Sequence, residues 1–201
     1  MSRDSLVYNK VMTEVRGKFA SADEVTIGPK LNSCKYLRAV IDECLRMSPP
    51  VGAAPFRETQ KGGAMVEGNY IPEGMLLGTS IYSTHHSKEY FEEPLRFNPE
   101  RWLDNPTPDV PAVSELGHTM YTPFSMGPRN CIGKSLAVTE ATVAMAIVCL
   151  RFEFKGADIN TSNRGGGRVG AVKGRDRPEE FQLEDHITSA KKGPLVQFRC
   201  R

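Results

Sequence analysis

"FSMGPRNCIG", Phe124 to Gly133, places a cysteine in a loop punctuated by glycine and proline, with Arg129 two residues before it and Gly133 two after. Free cysteine is commonly buried as a small apolar residue, and that is the expectation for Cys34, Cys44, Cys149 and Cys200. Cys131 stands in a different context. Gly127 and Gly133 admit backbone conformations or close approaches that a side chain blocks, Pro128 stiffens the loop, and a helix is predicted to begin just beyond. A thiolate beside a helix N-terminus and near Arg129 is stabilised by both positive fields, so the loop suits sulfur as an anion.

The chemistry open to such a sulfur is bounded by what accompanies it. Zinc asks for about four ligands, yet His85 and His86 are adjacent, His118 and His186 stand alone, and no cysteine lies at finger-like spacing. A nucleophilic cysteine wants a histidine base that only the fold brings near; that option stays open without support in the sequence. "GPRNCIGKS" ends like a phosphate-binding loop, but the glycine required five places before Gly133 is replaced by Pro128, which excludes it. A single anionic sulfur suits a cofactor that already supplies the other ligands of its metal, as haem does for iron.

Bulk properties narrow the class further. A chain of 201 residues, 39% of them hydrophobic, is enough for one domain with a real core. The net charge of +2, from 26 Lys+Arg against 24 Asp+Glu, gives no electrostatic footprint for nucleic acid. No run of about 18 apolar residues is present, and "MSRDSLVYNK" lacks the apolar segment of a signal peptide, so no anchor is read in this chain. Five cysteines, odd in number and without a CxxC pair, read as reduced thiols in a cytosol-facing setting.

Periodicity gives a mainly α fold with small β-sheets, an α+β arrangement. Val7, Val11, Val15 and Phe19, flanked by Tyr8 and Met12, step along one face of an amphipathic helix. A second helix is predicted over 33–47, capped by Asn32 or Ser33, with Tyr36, Leu37, Val40, Ile41, Cys44 and Leu45 on one face and a stop at Ser48–Pro50. "APFRET", "AMVEGNYIPEG" and "MLLGTSIY" read as short antiparallel strands around turns. "YFEEPLRFNPERWLDNPTP" is read as an irregular but ordered connection. Residues 133–150 are predicted to be a helix buried in a larger body, because they are apolar on more than one side. In the C-terminal part, 151–201, "RFEFKG" and "PLVQFR" read as strands and the Gly/Arg-rich stretch from Asn163 to Glu180 as a solvated connection.

Phe124, Gly127, Arg129, Cys131 and Gly133 match the haem-binding signature FxxGxRxCxG, and the segment resembles the cytochrome P-450 family of haem-thiolate monooxygenases, its fungal microsomal-type members in particular. "ECLR", Glu43 to Arg46, resembles the ExxR of that family, and "PERW", residues 99–102, resembles its PxRW segment. Taken alone, Glu43 and Arg46 are a pair three apart on a helix, worth about 0.3–0.5 kcal/mol on a surface. The resemblance implies instead a buried structural network of Glu43, Arg46 and Arg101 bracing the chain that carries Cys131. It implies Cys131 as the iron ligand of haem b (iron protoporphyrin IX), Arg57 and Arg129 toward the haem propionates, and Phe124 beside the sulfur side of the ring, with Gly127 and Gly133 shaping the loop. His85 and His86 are assigned structural roles only.

What the resemblance implies for the whole protein is insertion of one oxygen atom of dioxygen into an organic, lipophilic substrate. Electrons come from a partner reductase, and so indirectly from NADPH. The implied location is the cytosolic face of the endoplasmic reticulum membrane, reached through upstream segments. Residues 1–201 are expected to be the C-terminal, proximal part of such a domain. The Gly-x-[Asp/Glu]-Thr pattern of the oxygen-binding helix is not found, so no catalytic residue is assigned. The apolar faces of the first helix and of helix 133–150 are therefore expected to lack partners. A haem-thiolate isomerase or dehydratase and a truncated, non-catalytic fragment are the alternative readings.

Overall fold

A computed structural model describes residues 4–105, 111–157, 165–178, 180–186 and 188–201. Helix α1 spans Ser5–Lys18; the carboxylate of Asp4 caps it by accepting from the amides of Leu6 and Val7, each at 3.0 Å. The four-residue step places Val7, Val11 and Val15, with Met12, in the core. This face is covered within the chain, against the expectation that it lacks a partner: α3 (Lys35–Met47) and α6 (Lys134–Arg151) pack on it, while Leu6 stays exposed.

A four-residue helix, α2 (Pro29–Asn32), precedes α3 and changes how α3 begins. Pro29 starts that extra turn, so Asn32 and Ser33 belong to its C-terminal end, where the Ser33 amide donates to the Pro29 carbonyl at 3.0 Å. Neither caps α3, as had been expected of them. The cap comes from α1: the Glu14 carboxylate accepts from the amides of Tyr36 and Leu37 at 3.0 and 2.8 Å. Glu14 thus satisfies two helix N-terminal donors from another helix and locks α1 to α3. Glu14→Ala is expected to cost about 1–2 kcal/mol, with Glu14→Gln losing less, as read from the urea midpoint.

On α3 the buried residues are Tyr36, Leu37, Ala39, Val40, Ile41, Glu43 and Arg46. The expected apolar face holds as far as Ile41 and then turns: Cys44 is exposed and Leu45 only partly covered, because Glu43 and Arg46 occupy the inward positions of the last turns. Of the cysteines expected to be core, Cys34 and Cys149 are buried and Cys44 and Cys200 are exposed.

Short antiparallel pairs follow as the sequence predicts. β1 (Arg57–Glu58) pairs with β4 (Leu76–Leu77), and β2 (Ala64–Val66) forms a hairpin with β3 (Asn69–Ile71). Glu67 and Gly68 both take positive φ, 48° and 75°, the conformation a tight two-residue hairpin turn requires. Ile81 and Tyr82 are not strand: they begin α4 (Ile81–His85), whose Ser80 hydroxyl accepts from the Ser83 amide. The irregular connection is ordered through Asn105, with Pro99–Trp102 as a 3-10 turn; residues 106–110 lie outside the described residues.

After α5 (Glu115–Met120) and the cysteine loop comes α6, which is buried only through its C-terminal half, at Thr142, Ala146, Cys149 and Leu150. Its N-terminal half is open, with Leu136 64% exposed, which is the unpartnered apolar face expected of this helix within the chain. Arg16 closes the other end by donating to the carbonyls of Cys149 and Phe152 at 2.9 and 3.1 Å. β5 (Phe152–Gly156) pairs with β8 (Val196–Cys200), placing Phe154 opposite Phe198. A second hairpin, β6 (Glu184–His186) and β7 (Thr188–Ala190), was not read from the sequence. The expected solvated connection is turns over its described residues, with a bridge between Gly166 and Phe181; 163, 164 and 179 lie outside them.

Candidate functional site

Glu43 and Arg46 are fully buried and Arg101 is 4% exposed, so the pair that would be weak at a surface works here without water to screen it. Arg46 grips the carboxylate with two prongs, Nε to Oε2 and Nη2 to Oε1, both at 2.9 Å, and Arg101 Nε reaches Oε1 at 3.3 Å. The Asn98 amide donates to Oε1 at 2.8 Å and the Trp102 indole to Oε2 at 2.9 Å. Burial by itself pushes the Glu43 carboxyl up, but the hydrogen bonds and charge of Arg46, joined by Arg101 and the Asn98 amide, hold it below the usual carboxylate range.

One carboxylate against two guanidiniums leaves a buried positive charge, and backbone carbonyls absorb it. Arg46 donates to the carbonyls of His85, Pro94 and Arg96 at 2.8, 2.7 and 3.2 Å, and Arg101 to that of Glu92 at 2.9 Å. The network therefore clamps residues 85–102 onto α3 by their main chain, which is how a proline-rich stretch without regular structure stays in place.

The clamp extends toward the cysteine loop. His85 is fully buried; its Nδ1 lies 3.2 Å from the Arg46 carbonyl, and its Nε2 accepts from the Thr122 amide at 3.0 Å. Tyr121 sits with its ring 4.5 Å from that of Trp102 and 5.5 Å from that of His85, and its hydroxyl meets the Asp42 carbonyl and carboxylate at 3.1 Å each. Burial lowers His85 from 6.5 to about 4, and His86 shifts in the same direction for the same cause. A histidine kept neutral in the fold but free to protonate when unfolded contributes nothing to the pH dependence above pH 6.5 and weakens the fold as pH falls from 6.5 toward 4. Unfolding free energy is therefore expected to drop by about 2 kcal/mol between pH 7 and pH 5, and most of that slope should vanish in His85→Gln, as measured by urea titration at each pH.

In the loop itself, the Thr122 carbonyl accepts from the Ser125 amide and the Phe124 carbonyl from the Cys131 amide, each at 2.9 Å. Gly127 has φ +73°, a left-handed conformation that favours glycine, and begins a 3-10 turn running to Arg129. Gly133 has an ordinary φ of −82°, and a Cβ there would lie 3.7 Å from the Cys131 sulfur, in van der Waals contact with it. Lys134 opens α6 with its amide 3.3 Å from the Cys131 carbonyl.

Cys131 is exposed, and exposed apolar side chains stand near it in the chain, Met126 at 63%, Ile132 at 103% and Leu136 at 64%, while Phe124 is half-buried. Among the described residues no group of three His, Cys, Asp or Glu side chains is placed to hold a metal ion. A flat apolar ligand that already supplies the other donors of its metal would fit an exposed sulfur beside such side chains. Arg57 and Arg129 are both exposed, and Arg57 donates to the carbonyls of Pro55 and Phe56 at 3.2 and 2.9 Å. The structure joins Glu43, Arg46 and Arg101 as the resemblance implied; among the described residues no hydrogen bond or ion pair joins Arg57, Arg129 and Cys131. Trp102 and Tyr121 were missed as partners, and His85 is more closely tied to the loop than a general structural role conveys.

The family model described as Cytochrome P450 matches residues 1–173, and the chain belongs to that family. It is similar to the cytochrome P450 monooxygenase AKT7 of Alternaria alternata, 44% identical over 96% of this chain and 37% of that protein. It is likewise similar to the cytochrome P450 monooxygenase apf8 of Gibberella fujikuroi, 44% identical over 100% of this chain and 53% of that protein, and to poxM of Penicillium oxalicum, 41% identical over 99% and 35%. The chain thus spans about a third to a half of the length of these relatives. Among the described residues no helix is long and apolar enough to cross a membrane.

Proposed function

We propose that Cys131 would hold haem iron through its sulfur and that residues 1–201 form the proximal part of a cytochrome P450 monooxygenase acting on an organic, lipophilic substrate. The observation that carries this reading is an exposed sulfur whose backbone is fixed by the Phe124 carbonyl, in a loop tied through Thr122 to a buried charge network. Cys131 would hold the iron, Arg57 and Arg129 would pair with the propionates, and Phe124, Gly127 and Gly133 would lie against the ring. When bound, haem with a thiolate ligand supplies reductive activation of dioxygen and transfer of one oxygen atom to substrate. The electrons come from a reductase and ultimately from NADPH, and the whole protein works at the cytosolic face of the endoplasmic reticulum membrane.

The residues described here do the holding. The Glu43–Arg46–Arg101 cluster fixes the main chain of 85–102, His85 and Tyr121 carry that order to the loop, and the amide of Cys131 sets where the sulfur sits. The test is the ferrous carbon monoxide spectrum of the whole haem-loaded protein. A Soret band at the red-shifted, thiolate-type position is expected; its absence from protein with full haem content would overturn the assignment.

A further inference from the structure

We propose that His85 is a positioning residue for the Cys131 loop, holding the incoming chain through the Thr122 amide so that the sulfur keeps its place against the iron. The inference rests on Cys131 being the haem ligand. Its own support is a continuous run of hydrogen bonds. His85 Nδ1 meets the Arg46 carbonyl at 3.2 Å and Nε2 accepts from Thr122 at 3.0 Å; the Thr122 carbonyl accepts from Ser125, and the Phe124 carbonyl accepts from Cys131.

Both partners of the imidazole are backbone groups that cannot exchange roles. A carbonyl only accepts, so Nδ1 carries the proton; an amide only donates, so Nε2 must be bare. One neutral tautomer satisfies both, and the ring is fully buried between Phe91 and Tyr121, with centroids 6.2 and 5.5 Å away. The Arg46 guanidinium, which donates to the His85 carbonyl at 2.8 Å, ties the same residue into the charge network. His85 therefore joins the buried charge cluster to the segment that delivers the cysteine, and no side chain without an acceptor at the Nε2 position reproduces the link.

The test compares three variants of the whole haem-loaded protein by the ratio of shorter-wavelength to thiolate-type Soret absorbance in the ferrous carbon monoxide complex. His85→Gln places an acceptor near the Nε2 position and should keep the wild-type ratio. His85→Asn reaches only toward Arg46, leaves the Thr122 amide unpaired, and should raise the ratio about tenfold, the shift expected when one enclosed donor loses its acceptor. His85→Phe, of similar volume with neither group, should match Asn in band ratio. If Phe does not fold, the Gln and Asn pair decides. Equal ratios for Gln and Asn, whatever their melting temperatures, would reduce His85 to a packing residue and overturn the proposal. Should the wild type itself lack the thiolate band, it is the ligand assignment that fails.

Discussion

Serine in place of Cys131 is expected to abolish the thiolate-type Soret band of the ferrous carbon monoxide complex while leaving the unfolding midpoint of the haem-free protein almost unchanged. The two halves of this expectation have separate causes. Among the described residues the Cys131 sulfur takes no hydrogen bond and its side chain is exposed, so the oxygen of serine removes no packing; exposed substitutions of this kind stay within about 0.5 kcal/mol. The loop is held by the main chain, through the Cys131 amide and the Phe124 carbonyl, which serine retains. What serine lacks is an easily ionised, polarisable donor: a hydroxyl does not replace thiolate toward iron near neutral pH. Cys149→Ser is the control with the opposite pattern. That thiol is fully buried and burial raises it to about 11, so a hydroxyl there should cost about 1–3 kcal/mol of stability and leave the band where it is. A thiolate-type band surviving in Cys131→Ser would move the ligand to another sulfur.

Which parts of this arrangement the sequence discloses follows from how local their causes are. The four-residue step of α1 and the hairpin around Glu67–Gly68 are legible because periodicity and turn geometry act within a few residues. The Glu14 cap is not, since its acceptor and donors lie 22 and 23 residues apart and nothing in either segment marks the other. For α6, an apolar sequence states what a helix is able to bury, whereas its neighbours decide what is covered, and within this chain they cover only the C-terminal half. The β6 and β7 strands, "EDH" and "TSA", are short and polar and carry no alternation to notice. At the site, Glu43, Arg46 and Arg101 are ordinary charged residues by composition; only family likeness singled them out, and it is their burial that gives them their energetic role. His85 and Tyr121 had no linear signal, because their partners are a carbonyl of α3 and an amide just before the loop.

Removing the Glu43 carboxylate should be the most damaging single change to stability in the chain. Its oxygens accept from Arg46 twice, from Arg101, from the Asn98 amide and from the Trp102 indole, all in a region closed to water. Glu43→Ala strands two guanidiniums without their counter-charge, which costs about 3–5 kcal/mol, a large share of the roughly 5–15 kcal/mol that holds a domain together. Glu43→Gln keeps the shape but turns one oxygen into a donor. Whichever way the amide is turned, its NH2 group faces at least two other donors, so the isosteric variant should also lose stability and haem together. Acid should act on the wild type in the same direction. Because the folded carboxyl is held below its ordinary value of 4.5, the cluster's contribution is complete above that pH and is lost as pH falls through the folded value. Urea midpoints and haem-to-protein ratios of the whole protein measure both effects. A Glu43→Ala protein with a normal midpoint and full haem, yet without turnover, would instead place Glu43 in the chemistry.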